Sequence, residues 1–161
     1  MPRPTLPQGY SLREATIDDL PVIVRHRLSM FRDMGVPQDE PRTIETFTLW
    51  LGEMLPAGIY RGWLVEDGSG DVAAGGGITV LPWPPGPRSF TGRMPIVYNV
   101  YTEPAHRRRG LARAVMLALE GWCRDHGHTV IGLAASVDGR ALYDALGYEP
   151  APQPYLFKAL S

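Results

Sequence analysis

The sequence holds a single cysteine, Cys123, so no disulfide can close within the chain, and a reducing, cytoplasmic setting is expected. No apolar run approaches the roughly 20 residues that a membrane helix needs. The opening Met1-Pro-Arg-Pro-Thr5 lacks the apolar core of a secretory signal. Charge is balanced: 16 Lys and Arg against 17 Asp and Glu give a formal net charge of −1, whereas a nucleic-acid binder carries a basic excess. Internal repeats, low-complexity blocks and linkers long enough to divide the chain are all missing. So is the Gly-x-x-x-x-Gly-Lys-Ser/Thr loop of nucleotide triphosphatases. No Gly-x-Gly-x-x-Gly joins a strand to a helix, and Gly75-Gly-Gly77 lies inside a strand pattern, where it marks a bulge or close packing. His126-Gly-His128 has no carboxylate or thiol partner beside it, so no metal site is expected. Cys123 reads as a helix residue near the core, without a covalent role.

What the chain has in quantity is punctuation. Its 18 Gly and 16 Pro are spread throughout its 161 residues, which implies many short elements with tight connections. That length suits one domain, 1–161, able to bury roughly 70% of its unfolded surface.

Tyr10–Glu14 alternates like a short strand. Thr16-Ile-Asp-Asp19 reads as a helix cap, and Leu20, Ile23, Val24, Leu28, Phe31 and Met34 then recur at helical spacing until Gly35. A second amphipathic helix is expected over 43–55, between Pro41 and Pro56-Ala-Gly58. Tyr60–Asp67 and Asp71–Leu81 flank Gly68-Ser-Gly70 as a hairpin. Pro82–Pro87 forms a stiff loop in which Trp83 either walls a pocket or covers the core. Ile96–Thr102 is β-branched and aromatic, a good central strand. Leu111–Asp125 is the clearest helix, and Val130–Ala135 a short buried strand. Gly139–Leu146 is a helix stopped by Gly147, and Tyr148 onward is expected to give a last strand or hairpin around Pro150–Pro154. The order predicts a mixed α/β fold with a central sheet.

The segment Val100–Arg113 passes from strand through a short turn into the strongest helix. Gly110 and Ala112 are small residues at a helix start, where unpaired N–H groups and the positive dipole end favour an anion. Arg107, Arg108 and Arg109 stand beside them, although cations there oppose the dipole by about 0.3–1 kcal/mol each. Three in a row point to a bound phosphate that offsets the cost.

Arg107-x-x-Gly110-x-Ala112 resembles the Arg/Gln-x-x-Gly-x-Gly/Ala signature of the GNAT acyltransferases. Downstream, Leu142-Tyr143 followed by Gly147-Tyr148 resembles their second motif. The resemblance implies a GNAT-type central mixed sheet flanked by helices. It implies transfer of an acetyl or short acyl group from acetyl-CoA to an amine by direct attack, with a small molecule or peptide as acceptor and with no nucleic acid and no membrane as partner. A homodimer is left open. The amides of about Arg108, Arg109, Gly110, Leu111, Ala112 and Arg113 would cradle the CoA pyrophosphate. Val100, Tyr101 and Thr102 would splay from the neighbouring strand and pair with pantetheine. Ser136, where many members carry asparagine, would bond the cofactor, and Tyr143 would serve the departing thiolate.

Relatives often place a glutamate where Ile96, Tyr98 or Ile131 stands here. Deprotonation of the amine is therefore expected to pass through water held by backbone carbonyls and Tyr98. Glu103, in the turn, is as readily a solvated residue as a replacement base, and His106 reads as a packing or surface residue. Asp33, Asp39, Glu40 and Glu45 are either a solvated face or a site for a cationic acceptor. Two rival readings remain: a non-catalytic acyl-CoA-sensing module, supported by the missing base, and an anion or nucleic-acid patch over His106–Arg113.

Overall fold

The computed structural model describes residues 4–160; residues 1–3 and 161, counted above in a single domain, lie outside the described residues. One five-stranded sheet runs β1 (Ser11–Glu14), β2 (Tyr60–Glu66), β3 (Val72–Pro82), β4 (Arg93–Thr102) and β5 (Gly132–Leu133) in spatial order. The first three pairings are antiparallel and β4–β5 is parallel, the mixed sheet expected. Among the described residues four α-helices accompany the sheet: α1 (Leu20–Asp33), α2 (Glu40–Met54), α3 (Leu111–Asp125) and α4 (Arg140–Ala145).

The entry to α1 is fixed by one carboxylate. Asp19 accepts the Thr16 N–H at 2.7 Å and both guanidinium nitrogens of Arg13 at 2.8 Å. The Arg13 hydrogen bonds hold Asp19 below the usual carboxylate range. Helix α2 starts where Asp39 accepts the Arg42 N–H at 3.1 Å, with Pro41 in its first turn. Both helices pack on one face of the sheet through Ile23, Val24, Leu28, Leu51, Tyr60 and Leu64. On the other face Leu111, Val115, Met116 and Leu119 of α3 and Tyr143 of α4 meet Val65, Ala74, Ile78 and Val97. Each such side chain, once buried, contributes about 1.5–3 kcal/mol.

Both readings of Gly75–Gly77 hold. A Cβ on Gly77 would lie 2.1 Å from the Tyr60 hydroxyl, and one on Gly76 would lie 2.9 Å from Val115. The β3–β4 register also shifts here: Gly75 pairs with Tyr101 and Gly77 with Tyr98, so Gly76 alone faces Asn99 and Val100. Asn99 takes the left-handed conformation, φ 58°, as the extra residue of the bulge.

The end of the chain differs from expectation. The strand predicted over 130–135 is confined to Gly132–Leu133, because β4 and β5 diverge beyond two paired residues. No strand follows Tyr148 among the described residues. Pro150, Pro152 and Pro154 each remove a ladder donor, and Leu156, Phe157 and Leu160 stay exposed. Trp83 packs edge-on against Tyr155, with ring centroids 6.3 Å apart.

Candidate active site

Strand β4 is ten residues long, yet β5 pairs with it only at Ile96↔Gly132 and Val97↔Leu133. Among the described residues, β4 from Tyr98 to Thr102 keeps β3 on one side and has no strand on the other. That stretch leaves main-chain donors and acceptors facing a slot, and the bulge at Asn99 sits at the slot's closed end.

The open end of the slot leads to the start of α3. Thr102 is followed by a single turn, Pro104–His106, and then by a loop with Arg108 (φ 61°) and Gly110 (φ 77°) in left-handed conformations. The first helical bond runs from the Ala114 N–H to the Gly110 carbonyl at 3.1 Å. The N–H groups of Leu111, Ala112 and Arg113 therefore have no helical partner and carry the dipole's partial positive charge. Leu111 is buried and anchors the helix, while Gly110 is exposed and Ala112 half-buried. Free amides, small side chains and a left-handed glycine together suit a pyrophosphate cradle.

The arginines divide in their tasks. Arg107 donates to the Thr102 carbonyl at 3.0 Å and to Asp33 at 2.5 Å, and its guanidinium lies 5.6 Å from the Tyr101 ring centre. Its side chain thus clamps the loop to β4 and α1, and its N–H donates to the Pro104 carbonyl at 3.4 Å, so both are engaged within the protein. Arg109 donates to the Tyr10 hydroxyl at 3.3 Å, and that hydroxyl lies 2.8 Å from His106 Nδ1, which makes His106 a packing residue. Arg108 and Arg113 are exposed and pair with no side chain among the described residues.

Tyr143 sits on α4 with its ring buried and edge-on to Tyr148, centroids 5.8 Å apart. Burial raises its pKa, so the phenol stays protonated. Among the described residues its hydroxyl has no hydrogen-bond partner, and it is not sealed from solvent, which leaves it free to donate. Gly139 makes room for the ring, since a Cβ there would lie 2.8 Å from it. Ser136 Oγ accepts the Gly139 N–H at 3.1 Å, so this hydroxyl closes the turn into α4 and keeps its proton for another acceptor.

The sequence reading missed a polar cluster on the α1 side of the bulge. Arg27 donates to Asn99 Oδ1 at 2.7 Å, and Asn99 Nδ2 donates to the Tyr60 hydroxyl at 3.2 Å. Next to it, buried His26 lies 3.2 Å from Glu103, which also takes the Arg25 guanidinium at 2.7 Å. Glu103 is therefore an ion-pair partner and not a free turn residue. Two signals were available: an asparagine amid β-branched and aromatic residues of a strand, and an arginine four residues after Ile23 and four before Phe31 on the apolar stripe of α1.

Burial pushes the His26 pKa down to about 4, with Glu103 acting against it and Arg25 reinforcing it. The unfolded chain therefore binds the extra proton. This contribution is complete above about pH 6.5 and is lost as pH falls toward about 4, roughly 3 kcal/mol over the window. Urea unfolding at pH 7 and pH 5 should show a drop in stability that His26→Gln removes; equal drops in both proteins would deny His26 this part.

Other candidates lie outside the site. Cys123 is buried, and burial pushes its thiol up to about 11, so it is inert near neutral pH. His126 and His128 stack on Trp122, and no metal-binding cluster occurs among the described residues. Asp33 pairs with Arg107, Glu40 with Arg32, and Asp39 caps α2, so three of the four acids proposed for a cationic acceptor are engaged elsewhere. A groove of about 350 Å³ between α3, the segment leading into β5 and the residues after α4 contains none of the predicted site residues.

The sequence profile of the Acetyltransferase (GNAT) family matches residues 24–148, from α1 to the end of the second motif. The chain belongs to the GNAT acetyltransferase family. Among solved structures it is similar to a GCN5-related N-acetyltransferase from Ralstonia eutropha JMP134, with 33% identity over 94% of this chain and 99% of that one and a TM-score of 0.86. It shares the fold of a predicted acetyltransferase from Clostridium acetobutylicum crystallised with acetyl-CoA: 23% identity, 92% and 96% coverage, TM-score 0.83. It also shares the fold of glucosamine-6-phosphate N-acetyltransferase from Arabidopsis thaliana: 16% identity, 96% and 100% coverage, TM-score 0.69. No curated protein is significantly similar to it in sequence. This GNAT protein is an acyl-CoA-dependent acetyltransferase, and acetyl transfer to an amine is the general reaction of its family. Among the described residues no helix is long and apolar enough to cross a membrane.

Proposed function

We propose that the protein transfers an acetyl or similar short acyl group from CoA to the amine of a small molecule or peptide, by direct attack and without a covalent enzyme intermediate. The observation that carries this reading is the slot where β4 loses β5 and runs into the free amides at the start of α3. A pyrophosphate at Arg108–Arg113 and a pantetheine arm along Val100–Thr102 fit that continuous line of unpaired main chain.

In the reaction the amine nitrogen forms a bond to the acyl carbon and the carbon–sulfur bond breaks. The main chain at the Asn99 bulge faces the slot and suits the carbonyl oxygen as it gains charge. The amine's proton leaves to solvent. Tyr143 donates its O–H to the departing sulfur as a hydrogen bond. Full transfer would be uphill by about 2 kcal/mol even for an unperturbed phenol and thiol, and burial of Tyr143 adds to that. The thiolate completes its protonation from water, and the products are an amide and free CoA. Amine-dependent release of CoA thiol, with the acylated amine identified by mass, tests the assignment.

A further inference from the structure

We infer that the acceptor amine carries a carboxylate and that Arg27 binds it, so that the preferred substrates are amino acids or similar carboxylate-bearing amines with an apolar body. The inference rests on the proposed acyl-donor slot, because Arg27 reaches that slot's closed end through Asn99 at 2.7 Å. The guanidinium lies between two aromatic rings, 4.8 Å from the centres of both Phe31 and Phe47. Burial pulls its pKa down, with only the Tyr60 and Tyr98 hydroxyls opposing. Among the described residues no carboxylate pairs with it. The neighbouring arginines are all satisfied: Arg25 by Glu103, Arg32 by Glu40 and Arg107 by Asp33.

A half-buried cation without a counter-ion is unfavourable, and aromatic faces and one amide oxygen offset only part of that. One bond to Asn99 leaves most of the five N–H donors of the fork for a planar, bidentate partner. A carboxylate has that shape, and one guanidinium suffices for it. The surroundings supply the apolar remainder: Phe47, which faces the cation, stacks on Trp50 at 5.9 Å, and Trp50 and Tyr98 are both partly exposed. Arg27 could serve structure alone, tying α1 and α2 to β4. A structural role predicts equal losses with every acceptor, whereas recognition predicts a loss confined to carboxylates.

The test compares kcat/KM for phenylalanine, phenylalaninamide and O-phosphoethanolamine in wild type, Arg27→Gln and Arg27→Lys. Following the phenylalanine-to-amide ratio across the proteins cancels the differing basicity of the two amines. Wild type should favour the carboxylate, and Arg27→Gln should lower the ratio by roughly 100-fold, with Arg27→Lys between them. A wild type with no preference for the carboxylate overturns the inference, as does an unchanged ratio in Arg27→Gln. Preference for O-phosphoethanolamine overturns the carboxylate in favour of a phosphate. If no amine is acylated, the proposed function is what fails. Arg27 is then judged by calorimetry with N-acetylphenylalanine and its amide in the presence of CoA. Tighter binding of the acid by wild type but not by Arg27→Gln upholds it, and equal binding overturns it. If Arg27→Gln does not fold, the wild-type preference and Arg27→Lys decide.

Discussion

Replacing Ala112 by glutamate is expected to abolish acetyl-CoA binding while leaving the protein folded. Ala112 is half-buried in the first turn of α3, beside the unpaired amides proposed to hold the pyrophosphate. A glutamate there puts both bulk and negative charge into the phosphate position. The same carboxylate suits an empty helix start, where it interacts with the dipole by about 0.3–1 kcal/mol in its favour and has exposed Arg108 and Arg113 nearby. The ligand-free variant should therefore melt at or slightly above the wild-type temperature. Wild type with acetyl-CoA at about 100 times its Kd should gain about 2.7 kcal/mol, seen as a rise in melting temperature of roughly 5–10 °C for a domain of this size. Ala112→Glu should lose that rise, with affinity lower by at least about 100-fold. Unchanged affinity in a folded variant would place the pyrophosphate elsewhere.

Tyr143→Phe should lower kcat by about 10- to 100-fold and leave acetyl-CoA affinity nearly intact. Phenylalanine keeps the ring, which lies within the α3-side core and against Tyr148, so packing is preserved. Only the hydroxyl is removed, and among the described residues it has no partner whose loss would confuse the result. A donor lost from a strong oxyanion site costs about 2.7–4 kcal/mol. The effect here should be smaller, because a thiolate leaves readily and accepts hydrogen bonds weakly. Measuring kcat with the best acceptor and CoA affinity by calorimetry separates the two outcomes. Turnover equal to wild type would remove Tyr143 from the chemistry while leaving the family assignment in place.

The parts of the fold legible in the sequence were those set by local pattern. Helix α3 was bounded correctly because Leu111, Val115, Leu119 and their neighbours form one apolar stripe. The β2–β3 hairpin was legible because Asp67 and Gly70 carry turn chemistry: Asp67 accepts the Ser69 N–H at 2.8 Å, and Gly70 takes φ 84°. The β5 and C-terminal expectations failed where pairing depends on a distant strand. Val130–Ala135 looks like a buried strand, yet β4 meets it at only two residues. At the site, motif spacing placed Arg107–Arg113 at a helix start and Tyr143 on a short helix, and the structure puts them there. The Arg27–Asn99–Tyr60 cluster joins residues 72 and 39 positions apart in sequence, beyond any local pattern. The side chain of Arg107 looked like phosphate charge because nothing local reveals its partner Asp33, 74 positions away.

Incubation of the purified protein with acetyl-CoA and a broad panel of amines, followed by detection of CoA thiol and of the acetylated product by mass, tests the central claim most directly. The account predicts amine-dependent thiol release in stoichiometric step with product, abolished by Ala112→Glu and slowed by Tyr143→Phe. Tight binding of acetyl-CoA without acylation of any amine would contradict it and favour an acyl-CoA sensor built on the same fold.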